Sequence, residues 1–286
     1  MNVLSLFDGM SCGHIALDRA GIKVDKYFAS EIKPHAIKVT QHNYPDTIQL
    51  GDVRNIDLDS LPKIDLLIGG SPCQDLSIAN KQRNGLAGNK SSLFWEYARI
   101  LKEAKPEFFL LENVNMPTND HLVITKELGV SPVNINSNLV SAQHRDRWYW
   151  TNIQGLDSDL LGNRYIPEPQ VKNIKLKDIL ENGYTDMEKA RCLNTKFGSS
   201  INNIESTWHR YTTTGMTNVV FLSEDLDYTK GLRFFTQREM EKLQTVPTGY
   251  TDILSITQAL NVLGDGWTVD VIAHIFSFLP SEWGKR

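Results

Sequence analysis

Five short apolar runs, residues 3–7, 26–30, 48–50, 64–68 and 108–114, recur through the first part of the chain. Helical patterns separate most of them, at residues 13–21, 35–44 and 93–103. Runs this short and apolar read as strands buried on both faces, and strands that alternate with helices join in parallel across one sheet. The expected fold class is α/β, a Rossmann-like, mostly parallel sheet. That class restricts where a ligand can sit, because open parallel sheets bind ligands outside the carboxyl ends of their strands. Three of those ends carry acid: Asp8-Gly9 after the first, Glu31 after the second, and Gly51-Asp52 after the third. The turn from Asp8 to Gly13 joins the first strand to the first helix, where backbone amides can approach a ligand. It lacks the GxGxxG spacing, and Asp8 would repel a pyrophosphate. An adenosyl compound without phosphate suits it better; a tight turn with no ligand has the same sequence. Glu31 can accept both hydroxyls of a ribose or cap a helix, and Asp52 can accept from an adenine amino group or serve as a turn residue.

The fourth run leads into Gly69-Gly70-Ser71-Pro72-Cys73-Gln74-Asp75. The two glycines, serine and proline are expected to end the strand and hold Cys73 at its carboxyl end. Cys73 is then either a nucleophile or a small semi-buried residue of an ordinary turn. Residues 81–90 are polar, basic and glycine-containing, as in a solvated linker or a lid that closes on substrate. The fifth run ends in Glu112-Asn113, and a carboxylate there is expensive unless it is paired or used. Residues 133–140 alternate like a strand, and 148–151 form another. Between them lies Gln143-His144-Arg145-Asp146-Arg147. Its two arginines, at i and i+2, share a side if the segment is extended, which suits a fork on one anionic or carbonyl group; a solvated charged turn is the alternative.

Past residue 152 the βα rhythm is lost, and residues 154–232 are rich in Asn, Thr and Ser. A smaller, irregular, β-containing region is expected. Residues 207–215 place Trp208, His209 and Arg210 among hydroxyl side chains, as a nucleic-acid-facing loop or a surface hairpin would. Residues 236–239 form a capping-box pattern opening a helix to 243. Helices are expected at 256–263 and 271–279, with a break at 264–269. The net charge of −4 neither announces nor excludes a nucleic-acid partner, since a local basic groove is enough. The three cysteines are far apart with no CxxC pair, which supports neither a disulfide framework nor a zinc knuckle. With no metal, no membrane-spanning run and no signal-peptide pattern, the expectation is a soluble protein of a reducing, cytoplasmic compartment.

Taken in order, these residues resemble the motifs of the DNA cytosine-5 methyltransferases across most of the chain. Phe7-Asp8-Gly9 resembles the family's opening cofactor loop, and Glu31 and Gly51-Asp52 its ribose and adenine contacts. Ser71-Pro72-Cys73-Gln74 resembles the nucleophile loop, Glu112-Asn113-Val114 the base-binding motif, and Gln143 to Arg147 the Gln-x-Arg-x-Arg motif. Arg238-Glu239 with Leu243-Gln244 and Pro247 resembles the penultimate motif, and Leu263-Gly264 with Trp267 and Val269 the last. Phe-Asp-Gly, the Asp-Leu-Ser after Cys73-Gln74, and Gly-Trp-Thr-Val are similar to the animal de novo branch, while the brevity resembles bacterial or phage enzymes. The tRNA-directed branch's Cys-Phe-Thr signature is missing, which favours DNA.

The resemblance implies transfer of a methyl group from S-adenosylmethionine, leaving S-adenosylhomocysteine, to C5 of a flipped-out cytosine in double-stranded DNA. Cys73, Glu112, Arg145 and Arg147 are the implied catalytic residues, with Cys73 adding to C6 and Arg145 favouring its thiolate. The implied cofactor residues are Phe7, Asp8, Gly9, Met10, Ser11, Glu31, Ile32, Asp52, Val53, Pro72, Leu93, Gly266, Trp267 and Thr268. Ser71, Gln74, Asn113, Gln143, Trp208 and Arg210 are implied for substrate. The implied division is a catalytic and cofactor-binding domain at 1–152, a target-recognition domain at 153–250, and a segment at 251–286 returning to pack on the first. Two departures stand out. Ser11 and Cys12 occupy positions where the family usually has glycines, with Gly13 one place later, and Asp265 replaces an asparagine.

Overall fold

A computed structural model describes residues 1–72, 93–155, 157–158, 164–195, 201–280 and 283. The apolar runs form a seven-stranded sheet of β1 (Asn2–Leu6), β2 (Lys26–Ser30), β3 (Ile48–Gln49), β4 (Leu66–Gly70), β5 (Phe108–Val114), β6 (Val133–Asn136) and β7 (Asp146–Thr151). The order is β3-β2-β1-β4-β5-β7-β6. The pairs among β1 to β5 are parallel, whereas β7 runs antiparallel to β5. The chain builds outward from β1 in one direction through β2 and β3, and in the other through β4 and β5. The switch point therefore lies between the ends of β1 and β4, where register pairs Leu6 with Gly69.

Helices α1 (Cys12–Arg19), α2 (Pro34–Asn43), α3 (Leu93–Ala104) and α4 (Thr118–Leu128) link the strands. Helix α3 buries Phe94, Tyr97, Ala98 and Ile100, positions that recur at helical spacing. They join Leu4, Leu6, Phe28, Leu67, Leu111 and Trp150 in one hydrophobic core.

Four local expectations are corrected. Gly69 and Gly70 do not end the fourth strand; they belong to it and pair with Leu111 and Glu112. The strand expected at 133–140 stops at Asn136, whose side-chain oxygen accepts from the Asn138 amide at 3.1 Å and turns the chain. Residues 207–215 are neither loop nor hairpin but lie in helix α5 (Ile204–Thr214), capped by Asn203, whose Oδ1 accepts from the Ser206 amide, and closed by Gly215 in the left-handed region. The last helix is α8 (Val269–Phe276), after α6 (Gln237–Leu243) and α7 (Ile256–Asp265). The capping box does form at α6: the Thr236 hydroxyl accepts from the Glu239 amide, and Glu239 accepts from the Thr236 amide.

The chain divides into two compact units, and the division differs from the one expected. One holds Met1–Ile135, Asp146–Glu168 and Ile272–Arg286; the other holds Asn136–Arg145 and Pro169–Val271. The first thus keeps residues 153–168, and the second takes the ten residues Asn136–Arg145, which include the first three of the Gln-x-Arg-x-Arg motif, as well as residues 251–271. The second unit has its own small core of Tyr211, Val219, Phe221 and Leu232, with β10 (Val220–Phe221) pairing antiparallel to β11 (Leu232–Arg233). A further antiparallel pair, β8 (Asp157–Ser158) with β9 (Arg164–Tyr165), belongs to the first unit. Among the described residues no helix is long and apolar enough to cross a membrane.

Candidate functional site: the carboxyl edge of the first unit's sheet

The turn after β1 is wound by residues with positive φ. Phe7 lies at 57°, Gly9 at 61° and Ser11 at 60°. Two of the three are not glycine, so the turn carries strain of the kind that collects at ligand sites. Side chains hold it in place. Glu31, at the end of β2, accepts from the Gly9 amide at 2.8 Å through one oxygen. Its other oxygen takes the amides of Ile32 at 2.8 Å and Lys33 at 2.9 Å. Asp8 accepts from the Ser11 hydroxyl at 2.5 Å and from the Tyr27 hydroxyl at 2.8 Å, and its own amide donates to the Ser30 carbonyl. Burial pushes the Asp8 carboxyl from 3.8 up to about 6, against the pull of hydrogen bonds from Ser11, Ser5 and Tyr27.

An adenosyl sulfonium fits what these residues offer. A Cβ at Gly9 or Gly51 would meet nothing within 4 Å, so the backbone is open to a ligand there. Asp8 and Glu31 bring negative charge, which suits a cationic sulfonium and disfavours a pyrophosphate. Glu31 Oε2, which takes only the Gly9 amide, keeps capacity for a further hydroxyl donor, whereas Oε1 already takes two amides. Beside it Ile32 is 67% exposed, an apolar surface available to an aromatic base. Asp52 is engaged by Arg54, which takes it through Nε at 2.9 Å and holds its carboxyl down to about 2. Val53 and Met10 are buried, so their side chains serve the core and only their backbones remain for a ligand. Phe7 and Leu93 sit partly buried against that core.

The second cluster lies where β4 and β5 end beside the start of the antiparallel β7. Glu112 pairs with Gly70 on β4 and Tyr149 on β7, and Val114 with Arg147. Arg147 donates through Nε to Glu112 Oε1 at 2.8 Å, and the Glu112 residue is only 8% exposed. The carboxylate expected to be used or paired is therefore paired. Asn113, fully buried, donates to the Ser71 hydroxyl at 2.9 Å and accepts from the Val114 amide at 2.8 Å. Ser71 is buried too, so Asn113 and Ser71, expected on the substrate, instead lock each other. Pro72 follows half-buried. Cys73, Gln74 and the polar stretch at 81–90 lie outside the described residues; Cys73 is three positions beyond Gly70 in sequence, and the register partner of Gly70 is Glu112.

Gly69 has a packing reason. A Cβ there would come within 3.0 Å of the Leu6 carbonyl oxygen and of the Tyr97 ring. Tyr97 is fully buried, its hydroxyl has no hydrogen-bond partner among the described residues, and burial raises its pKa well above the ordinary value. Sequence reasoning missed Tyr97, and also the stack of Tyr27, His14 and Tyr44 behind the β1 turn. His14 lies parallel to Tyr27 at 4.4 Å and to Tyr44 at 3.9 Å. These aromatics sit on three different elements, and no local spacing announces that they meet.

In the second unit, the arginine fork does not form. Arg145 is buried and donates to the carbonyls of Leu193 at 3.3 Å, Gly264 at 3.2 Å and Gly266 at 2.7 Å, with Cys192 Sγ at 3.3 Å. Arg147 goes to Glu112 instead. Two arginines on one side of a strand would require both to lie in β7, but that strand starts at Asp146 and Arg145 precedes it. Gln143, expected on substrate, is buried with its Nε2 on the Leu243 carbonyl at 2.7 Å and on Gln244 Oε1 at 2.9 Å. Gln244 also accepts from the Thr268 hydroxyl at 3.0 Å and donates to the Gly266 carbonyl at 3.2 Å. The polar atoms of Gly266 and Thr268 are thus engaged by protein, while Trp267 is half-buried. Trp208 stacks on Tyr228 at 4.7 Å and packs on the small core, so it is not presented outward as expected; Arg210 is half-buried on the same helix. Among the described residues no group of three or more His, Cys, Asp or Glu is placed to hold a metal ion.

A family model described as C-5 cytosine-specific DNA methylase matches residues 1–231. The chain is 34% identical over 196 residues to the orphan methyltransferase M.SPRI of Bacillus phage SPR, covering 64% of this chain and 43% of that protein. It is 30% identical over 305 residues to the type II methyltransferase M1.ScrFI of Lactococcus lactis subsp. cremoris, covering 96% and 76%. The chain thus spans less than half the length of several of the curated relatives it matches. In fold it is similar to the Entamoeba histolytica methyltransferase EhMeth, with a TM-score of 0.73 at 17% identity over 100% of this chain and 99% of that one. A putative DNA modification methyltransferase from an E. coli prophage gives a TM-score of 0.60 at 18% identity over 98% of each.

Proposed function

Because the chain belongs to the C-5 cytosine-specific DNA methylase family, we propose that it methylates C5 of a cytosine in double-stranded DNA with S-adenosylmethionine as donor. The observation that carries this reading is the buried Arg147–Glu112 pair, set by strand register beside the turn that leads to Cys73. When bound, S-adenosylmethionine supplies an electrophilic methyl group on a sulfonium.

C5 of cytosine is a weak nucleophile, so the ring must first be activated. Cys73, as thiolate, forms a bond to C6, and the C5=C6 π pair moves onto C5. Glu112 faces the N3 and exocyclic amino edge and helps protonate N3, which relieves the charge developing on the ring. Arg147 fixes the Glu112 carboxylate and is the group nearest in role to a partner for the base carbonyl. With S-adenosylmethionine bound, C5 would take its methyl and S-adenosylhomocysteine would be left. Water would take the C5 proton and N3 would return its proton to Glu112, so that the double bond re-forms, the C6–S bond breaks and Cys73 returns as thiolate. None of this can occur within a base stack, so the cytosine is extruded from the duplex. Glu31 and the Gly9 backbone hold the adenosyl end, and the Ser71–Asn113 lock fixes the start of the nucleophile's turn.

Transfer of labelled methyl from S-adenosylmethionine to duplex DNA, with tRNA as a parallel substrate, tests the assignment. Label on C5 of cytosine in DNA is expected, and label on tRNA alone overturns the choice of substrate. Cys73→Ala is expected to abolish transfer while binding S-adenosylmethionine as the wild type does; normal methylation by that variant overturns the nucleophile assignment.

A further inference from the structure

We infer that Tyr27 is a positioning residue for the cofactor turn: its hydroxyl fixes Asp8, and Asp8 in turn holds Ser11 in a backbone conformation that a serine avoids. The inference rests on the proposed use of S-adenosylmethionine and assigns a role to Tyr27, a residue outside the motifs quoted above.

Ser11 lies at φ 60°, where an L-residue carries a penalty of about 1–2 kcal/mol that glycine escapes. It is also a position where the family resemblance leads one to expect glycine. Something must offset the penalty, and the Ser11 side chain supplies it. Its hydroxyl donates to Asp8 and lies 3.0 Å from the Thr40 hydroxyl. The tether is only as firm as Asp8, whose second oxygen is taken by Tyr27. An ionised carboxylate is acceptor-only, so both hydroxyls must point their protons at it and the geometry has one solution.

Tyr27 is well placed to define that geometry. It is 2% exposed on β2, the strand whose end delivers Glu31 to the Gly9 amide, so one strand braces the turn at two points. The Tyr27 ring is held flat by His14, and His14 by Tyr44, whose own hydroxyl donates to Asp18 at 2.9 Å. The stack therefore ends in two tyrosine–carboxylate bonds, of which one touches the cofactor turn and the other does not. The groups that bear on Asp8 are the hydroxyls of Ser5, Ser11 and Tyr27, and the Glu31 carboxylate, whose charge opposes ionisation of Asp8.

The test is Tyr27→Phe in the full chain, with S-adenosylmethionine and S-adenosylhomocysteine binding measured by calorimetry. The ring and its stacking are kept, and one hydroxyl is lost. The dissociation constant at pH 7.5 is expected to rise about fivefold to tenfold, less than the full worth of a bond to a charged group because the lost bond acts on the cofactor only through Asp8 and Ser11. Tyr44→Phe deletes the matched hydroxyl at the far end and is expected to bind as the wild type does. Wild-type affinity is expected to fall on acidification through about pH 6, as Asp8 takes up a proton. In Tyr27→Phe that fall moves to higher pH, because a bond favouring the carboxylate is gone.

In a Ser11→Gly background, where φ of 60° carries no Cβ penalty, Tyr27→Phe is expected to change binding less than twofold. That background also keeps the comparison readable should Tyr27→Phe alone fold poorly. Equal losses from Tyr27→Phe and Tyr44→Phe would make the stack a packing element and overturn the inference, as would an unchanged pH profile or a full loss in both backgrounds. A wild-type chain that binds neither compound overturns the functional reading itself.

Discussion

Replacing Gly69 with alanine tests whether the close approach of three elements at the switch point is needed. The new Cβ would sit 3.0 Å from the Leu6 carbonyl oxygen and 3.0 and 3.1 Å from two carbons of the Tyr97 ring. Ordinary contact begins near 3.4 Å, so each neighbour would have to give by several tenths of an ångström. Leu6 cannot, because it is the register partner of Gly69 in the β1–β4 ladder. Tyr97 is fully buried among Phe94, Leu6 and Leu111 and has no open side to turn toward. Overpacking of this kind costs about 1–3 kcal/mol, and the lower chain entropy of alanine returns about 0.5–1. The expected net loss is about 1–2 kcal/mol, read as a shift of the denaturation midpoint at unchanged slope. The displacement acts two residues before Ser71, so methyl transfer is expected to fall more than S-adenosylmethionine binding. Adding Tyr97→Leu should recover part of the stability and leave the part due to Leu6. A Gly69→Ala chain as stable as wild type, with full activity, would refute the reasoning.

Arg147→Ala would leave Glu112 without its paired charge at a site where both side chains are largely covered. A loss of about 2–4 kcal/mol is expected by chemical denaturation, with at least about a hundredfold drop in methyl transfer. Adding Glu112→Gln should restore part of the stability and none of the activity; recovery of activity would show that the charge of Glu112 is not used. Asp8→Asn should change how stability depends on pH. The Asp8 carboxyl titrates at about 6 in the folded chain, above its ordinary 3.8, so folding favours the protonated form. That contribution is fully present below 3.8 and is lost as pH rises through about 6, a difference of at most about 3 kcal/mol. Relative to wild type, Asp8→Asn should therefore gain stability between pH 4 and pH 7 in melting experiments. A gap of the same size at both ends would sink the assignment.

The strands of the first unit were legible because each is a contiguous apolar run, and the acids at their ends were legible because each ends one. Glu112 could be singled out from the expense of a carboxylate in that setting, and its partner does lie in the motif that drew attention to arginines. What the chain does not reveal locally is which of two similar residues goes where. Arg145 and Arg147 are equivalent by spacing, yet one meets three carbonyls and the other a carboxylate, because β7 begins between them. Trp208 and its neighbours look like exposed recognition chemistry when read as a string. Helical spacing instead turns Trp208 and Tyr211 together onto Phe221 and Tyr228, contacts 10 to 20 residues away that only folding creates. Gly69 and Gly70 misled for a related reason: glycine in a strand can mark close approach as well as an ending.

The same distinction between a residue's type and its surroundings governs the turn after β1. A glycine at position 11 would reach φ 60° unaided. With serine there, the turn needs a hydrogen-bond acceptor close by, and Asp8 provides it. A half-buried carboxylate is itself unfavourable, which is why its pKa rises and why Ser5, Ser11 and Tyr27 all direct hydroxyls to it. Tyr27 must then be oriented, and the flat stack with His14 and Tyr44 orients it. Each member answers a need created by the one before. Restoring glycine at position 11 should consequently make Asp8, Tyr27 and the stack individually less critical, whereas altering Tyr27 alone leaves the serine's strain with a weaker counterweight.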